Sequence, residues 1–289
     1  MPQLKEPTDE QKRIIADPEN VVVIAKPGSG KTFTIVEKIY QISQNLRDYQ
    51  GIIAISFTRK ASRELEQRAK HRGAVKKLSF YGTIDSFYIS QIIIPFAKHL
   101  TNKVVQLDVK TTVNDFPKYK PLWEIQKSLT SELETLLISS LADGYIFLDL
   151  CGQTALYILK HVQEAKEFLA ARYTHIFIDV YQDCGFVQHE IFSLLVDAGI
   201  TGIAVGDIDQ AIYAFTNRYP KYLISLLSNS KFNQYEITKN HRCHKSISDY
   251  SLRLFGKEVL PDIEKRVIKV SVTGDEENIA KKSASHLQK

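Results

Sequence analysis

The run Ala25-Lys26-Pro27-Gly28-Ser29-Gly30-Lys31-Thr32 places two glycines, a lysine and a threonine within a single short turn. Glycines let a backbone approach an anion closely. The unpaired N–H groups at the start of a following helix can then point at phosphate oxygens. Lys31 can reach the β- and γ-phosphates, and the Thr32 hydroxyl can ligate Mg²⁺. The pattern therefore reads as a cradle for a nucleoside triphosphate, with ATP and Mg²⁺ the expected ligands. A glycine-rich turn that binds nothing is the competing explanation. It is weakened by context, since the run follows an apolar strand and opens a helix-length segment. A second acidic group must help hold the metal. Asp179 ends the apolar run His175-Ile176-Phe177-Ile178, where it can ligate Mg²⁺ directly or through water. A structurally buried Asp is the alternative there.

The elements that position these groups are short β-branched runs, each followed by a helix-length segment. They are Val21–Ala25, Gly51–Ser56, Lys77–Tyr81, His175–Asp179, Gly202–Gly206 and Asn233–Ile237. Near-continuous apolar strands alternating with helices predict an α/β fold with a parallel sheet covered on both faces. Such sheets bind ligands at the carboxyl ends of their strands, where Gly28–Thr32, Asp179 and Gly206-Asp207 fall. Residues 87–172 break the alternation with Leu-, Ile-, Lys- and Glu-rich segments and predict a mostly helical insertion. After Phe255 a further strand (Val267–Val272) and an amphipathic helix (Glu276–Leu287) are expected.

The chain has 289 residues, 25% charged and 44% hydrophobic, with a net charge of +5. That balance is ordinary for a globular protein and only mildly favours polyanions. The longest apolar runs are too short to span a membrane. The three scattered cysteines Cys151, Cys184 and Cys243 suggest neither a disulfide framework nor a zinc site, and a cytoplasmic location is expected.

With further motifs in order, the chain resembles the UvrD/Rep/PcrA branch of superfamily 1 DNA helicases over nearly all of residues 4–255. Thr8-Asp9-Glu10-Gln11 matches the segment whose glutamine reads adenine, which assigns that role to Gln11. The family's phosphate loop begins with Ala or Gly, so Ala25 fits. Asp179-Val180-Tyr181-Gln182-Asp183 corresponds to the Asp-Glu-x-Gln-Asp box. Gly206-Asp207-Ile208-Asp209-Gln210-Ala211-Ile212-Tyr213 matches the motif whose Gln senses the γ-phosphate, and Asn240-His241-Arg242 the one that supplies an arginine to it. The resemblance thus implies Lys31, Asp179, Gln210 and Arg242 as catalytic. Around the nucleotide it implies Gln11, Ala25, Gly28, Ser29, Gly30, Thr32, Phe33 and His241. Phe57, Thr58 and Arg59 (in Phe57–Ala61), Thr83 (in Gly82–Phe87), Tyr213 and Phe215 are implied as DNA contacts. Phe57 and Phe215 could equally be core aromatics, and Arg242 a plain surface arginine.

The implied architecture is a P-loop RecA-like domain in two parts, 1–86 and 173–256, interrupted by the insertion at 87–172. Residues 257–289 would then begin a second such domain. The implied activity is a DNA helicase or translocase of 3′→5′ polarity, acting on single-stranded or partly duplex DNA with no membrane partner. It would need a second lobe, because only differential binding to two states can drive motion. The departures are specific. Val180 stands where the family has the glutamate that accepts a proton from the attacking water. Phe33 replaces a basic residue, Asp85 a histidine, His241 a stacking tyrosine, and Phe215-Thr216 a Trp-Arg pair. Val180 opens a second reading, a hydrolysis-impaired ATP sensor that recruits a partner such as a nuclease, for example in phage defence. A small-molecule P-loop kinase is a weaker third, because the chain carries the Gln-Asp box rather than a substrate lid.

Overall fold

The apolar runs become strands, and turns rich in Gly, Asp, Ser or Thr end most of them. In the computed structural model the described residues are 6–74, 78–104, 106–208 and 220–244. Up to Lys239 they form one unit, and Asn240 opens a second. The first unit begins with α1 (Asp9–Ala16), β1 (Val21–Ala25), α2 (Lys31–Ser43), β2 (Gly51–Ser56), α3 (Arg59–Arg72), β3 (Phe80–Thr83) and α4 (Ile84–Phe87). A π-helical turn, Tyr88–Ile93, leads into α5 (Ile94–Thr101), β4 (Asp108–Lys110), α6 (Ser131–Ala142), β5 (Tyr145–Phe147), α7 (Cys151–His161) and α8 (Gln163–Arg172). The unit closes with β6 (Tyr173–Asp179), α9 (Phe186–Asp197), β7 (Thr201–Gly206), α10 (Lys221–Leu227) and β8 (Asn233–Ile237).

Six strands form one sheet in the order β3-β2-β6-β7-β1-β8, and every described pairing in it is parallel. The expected α/β sheet is therefore present. Side chains alternate across it as the period of two requires. Ile53, Ile55, Ile176, Ile178 and Ala204 enter the core under the π turn, α7 and α9. Ile52, Ala54, Phe177, Ile203 and Val205 enter the opposite core with Ile14, Ile35, Ile39 and Leu65 from α1, α2 and α3. Burial on both faces explains why these strands read as continuous hydrophobic runs.

Between β3 and β6 the chain leaves the sheet. The insertion is helical for most of its described length and has its own small core of Val113, Tyr119, Leu122, Leu137, Phe147 and Leu150. It also contains a two-stranded parallel pair, Asp108–Lys110 with Tyr145–Phe147. Three-residue strands are too short to show periodicity. β3 begins at Phe80, three residues after its expected start, and runs two residues past its expected end, to Thr83, because Gly82 and Thr83 pair with Ile55 and Ser56. The strand expected at Val267–Val272 and the helix at Glu276–Leu287 lie outside the described residues.

Candidate functional site at the carboxyl edge of the sheet

Register places the chemically useful residues on one edge. Ile24 pairs with Gly206 and Asp179 with Val205, so the ends of β1, β7 and β6 are neighbours. Beyond β1 the chain turns through Gly28 (φ 72°) and Gly30 (φ 91°), a left-handed backbone open to glycine without a Cβ clash. A Cβ on Gly30 would also lie 2.7 Å from Gln11 Nε2. Lys31 then opens α2. Its Nζ donates to the carbonyl oxygen of buried Ala25 at 2.9 Å and lies 3.9 Å from Asp207 Oδ2. Thr32 and Phe33 follow, half-buried, in the first turn of α2.

Gln11 has a local task as well as the one implied by resemblance. Its Oε1 accepts from the Thr8 N–H at 3.0 Å and completes a capping box with Thr8, the α1 N-cap. Its Nε2 donates to the Ser29 carbonyl at 3.1 Å, tying α1 to the glycine turn. The other end of α1 is held by Lys38 of α2, whose buried Nζ donates to the carbonyl oxygens of Ile14 at 2.9 Å and Asp17 at 2.5 Å. Burial lowers the Lys38 ammonium to about 8, against the opposing pull of Asp17. Lys38 was not expected from sequence. Its position in an amphipathic helix gives no sign that its ammonium turns inward.

Among the described residues, the buried Ser29 Oγ and Asp179 Oδ1 on this edge have no hydrogen-bond partner. Burial raises the Asp179 carboxyl above its usual range, while Lys31 and the Val180 N–H pull it back. Orphaned buried oxygens are costly unless a ligand completes them. A hard cation therefore fits the Asp179 donor, with Thr32 supplying a hydroxyl. Among the described residues there is no cluster of three or more His, Cys, Asp or Glu that could hold a metal by itself.

The turn after β6 is built differently. Val180 adopts φ 69°, ψ 43°, the left-handed region in which a β-branched residue is strained. Tyr181–Asp183 then make a 3-10 turn. Buried Gln182 accepts the Asp207 N–H at 3.0 Å through its Oε1 and so locks the ends of β6 and β7 together. Gly206 makes room for this clamp, because a Cβ there would lie 2.7 Å from both Gln182 Oε1 and Leu223 Cδ2. Asp207 itself is 2% exposed. Its signature, an acid just past an apolar strand, was visible in the sequence beside that of Asp179.

On the expected DNA side, Phe57 is half-buried and packs against the core, which takes up part of its ring. Thr58 caps α3 by accepting the Ala61 N–H at 3.1 Å, and Arg59 is exposed in the first turn. Thr83 caps α4. Asp85 accepts a hydrogen bond from Cys151 Sγ at 3.6 Å. It also lines a 690 Å³ cleft shared with Gln153, Phe186, Gln188, Lys221 and Tyr222. Gln210, Tyr213 and Phe215 lie outside the described residues. His241 and Arg242 belong to the second unit, where Asn240 Oδ1 accepts the Arg242 and Cys243 N–H groups at 2.8 and 3.0 Å.

A parallel sheet whose first strand opens into a glycine turn, beside two strands ending in acids, defines an α/β P-loop fold. Residues 11–216 match the AAA domain family, and the chain belongs to it. It is 33% identical over 255 residues to Gabija protein GajB of Bacillus cereus (strain VD045), covering 86% of this chain and 49% of that protein. It is 28% identical over 322 residues to ATP-dependent DNA helicase Rep of Buchnera aphidicola subsp. Schizaphis graminum (92% of this chain, 48% of Rep). It is 24% identical over 279 residues to ATP-dependent DNA helicase PcrA of Staphylococcus aureus (83% and 38%). The likeness to the UvrD/Rep/PcrA type of helicase thus covers most of the chain, and the chain spans about half or less of these relatives. No helix among the described residues is long and apolar enough to cross a membrane.

Proposed function

We propose that the chain is the ATP-binding module of a DNA helicase or translocase, and that it couples ATP·Mg²⁺ to single-stranded DNA. The observation that supports this best is the orphaned Asp179 Oδ1 at the same sheet edge as Lys31 and the glycine turn. Main-chain N–H groups of Gly28–Thr32 bind the phosphates. Lys31 leaves Ala25 and Asp207 to grip the γ-phosphate. Thr32 and Asp179 would hold a magnesium ion, which would supply positive charge beside the phosphates. Gln11 reads the base from α1, Gln210 senses the γ-phosphate and Arg242 stabilises it. Phe57, Thr58, Arg59, Thr83, Tyr213 and Phe215 contact DNA, with the Asp85–Phe186 cleft alongside. Motion, 3′→5′ polarity and unwinding belong to a larger assembly with a second lobe or a partner subunit.

Val180 favours a second reading, in which the chain holds ATP, turns it over slowly and signals to a partner such as a nuclease. Phosphate release with and without single-stranded DNA, for this chain and its Val180→Glu variant, separates the two. DNA-stimulated turnover in the unmodified chain supports the motor; tight ATP binding without turnover supports the sensor. If Glu at 180 acts as a base, turnover rises by ~10²-fold or more. Absence of ATP binding would remove both readings.

A further inference from the structure

Strand order puts β7 between β6, which ends in Asp179, and β1, which opens the glycine turn. Asp207 is the first residue past β7. A terminal phosphoryl group gripped by Lys31 on one side and flanked by Asp179 on the other lies over the end of this middle strand. Asp207 is 2% exposed there, with Oδ2 3.9 Å from Lys31 Nζ. Its main chain is fixed by Gln182, whose Oε1 is taken up in that bond. A lysine ammonium sits ~2.8 Å from a phosphate oxygen that it binds. A carboxylate next to that ammonium is thus within one water molecule of the γ-phosphate.

We infer that Asp207 is the proton acceptor for the attacking water, in the role that Val180 cannot fill; the inference rests on the ATP reading of the site. The water oxygen bonds to the γ-phosphorus as the bond from that phosphorus to the β–γ bridging oxygen breaks, leaving its electron pair on ADP. The water proton passes to Asp207 and then to solvent, so the products are ADP, inorganic phosphate and one proton. The middle-strand position explains how a chain with valine after its metal-side aspartate can retain hydrolysis.

The test uses the full chain and its Asp207→Asn, Val180→Glu and doubly substituted versions, with Mg²⁺, ATP and single-stranded DNA. Calorimetry gives ATP affinity, and single-turnover phosphate release gives the chemical step. Asn at 207 keeps the N–H that Gln182 holds. We expect ATP affinity within about threefold of the unmodified chain and phosphate release slower by ~10²-fold or more. Adding Val180→Glu to Asp207→Asn should recover at least tenfold, because a second acceptor is restored; a residue that only placed Lys31 would not be rescued. Four results overturn the assignment. They are unchanged release in Asp207→Asn, loss of its ATP affinity, no rescue where Val180→Glu alone accelerates release, and no release from the unmodified chain. Failure of the unmodified chain to bind ATP sinks the nucleotide site itself and is read separately, by calorimetry.

Discussion

Two left-handed turns leave neighbouring parts of the same sheet edge, and they are made from opposite kinds of residue. After β1 the positive φ angles fall on Gly28 and Gly30; after β6 the positive φ falls on Val180. The first turn is relaxed, because glycine takes positive φ without a Cβ penalty. The second holds a β-branched residue in a region that costs roughly 1–2 kcal/mol for an L-residue. The second turn thus holds its left-handed geometry without a glycine. What keeps it is the packing around it: Asp183 N–H donates to the Val180 carbonyl at 3.1 Å, and Gln182 is locked to Asp207.

The contrast can be broken most severely at the first turn. Lys31→Ala removes the charged donor, and ATP affinity should fall by ~10²-fold or more in calorimetry, with the fold intact. Unchanged affinity would mean that the glycine turn is not a phosphate cradle. Next in size is Gly206→Ala, which drives a methyl group into the Gln182 clamp. We expect a loss of about 2–3 kcal/mol of stability, seen as a Tm lower by several degrees. A smaller loss would show that the valine turn does not depend on the clamp.

The strands behind the turns differ as well. β1, Val21–Ala25, has no titratable side chain, whereas β6 carries His175. Burial and the nearby Lys38 charge lower the His175 imidazole to about 4. The folded state thus resists protonation that the unfolded chain accepts near pH 6.5. Stability should fall as pH drops from about 6.5 toward 4, by at most about 2 kcal/mol down to pH 5. His175→Leu should flatten this part of the Tm–pH curve, and an unaltered curve would reject the assignment. The smallest effect tests the strain directly. Val180→Asn puts a residue tolerant of positive φ in place of valine and should stabilise the chain by about 1 kcal/mol. A lower Tm for Val180→Asn would show that the valine side chain contributes more by packing than its backbone costs.

Much of this edge was legible because its signals are local. A glycine turn between an apolar strand and a helix, and acids just past apolar strands, are patterns of adjacent residues. β1, β2, β8 and most of β6 and β7 fall where the sequence runs put them; burial on both faces keeps β1, β2, β6 and β7 largely apolar, whereas β8 is mostly exposed. What was hidden depends on partners distant in sequence. Gln11 is a cap and a tie to Ser29 only once α1 lies against the glycine turn, and Lys38 turns inward only because the end of α1 presents free carbonyls. Gln182 becomes a clamp only once its oxygen accepts the Asp207 N–H, across 25 positions of chain. The left-handed turn at Val180 was illegible for another reason: valine is among the last residues expected at positive φ. The β4–β5 pair was too short to announce itself.

The stitching between α1 and β8 also sets how this unit can be cut. Glu10 accepts from the N–H and hydroxyl of Thr238 at 3.1 and 2.8 Å, and Asp17 accepts from Asn233 and Tyr235 at 2.9 and 2.8 Å. The opening helix and the edge strand, far apart in sequence, are clasped like the two ends of a belt. A shortened version starting at Val21 would strip these four hydrogen bonds from β8 and Thr238, remove the Asn20 carbonyl that accepts the Asn233 N–H at 2.8 Å, and take away Gln11 with them. Circular joining of the two ends, by contrast, would follow a proximity that the unit already has.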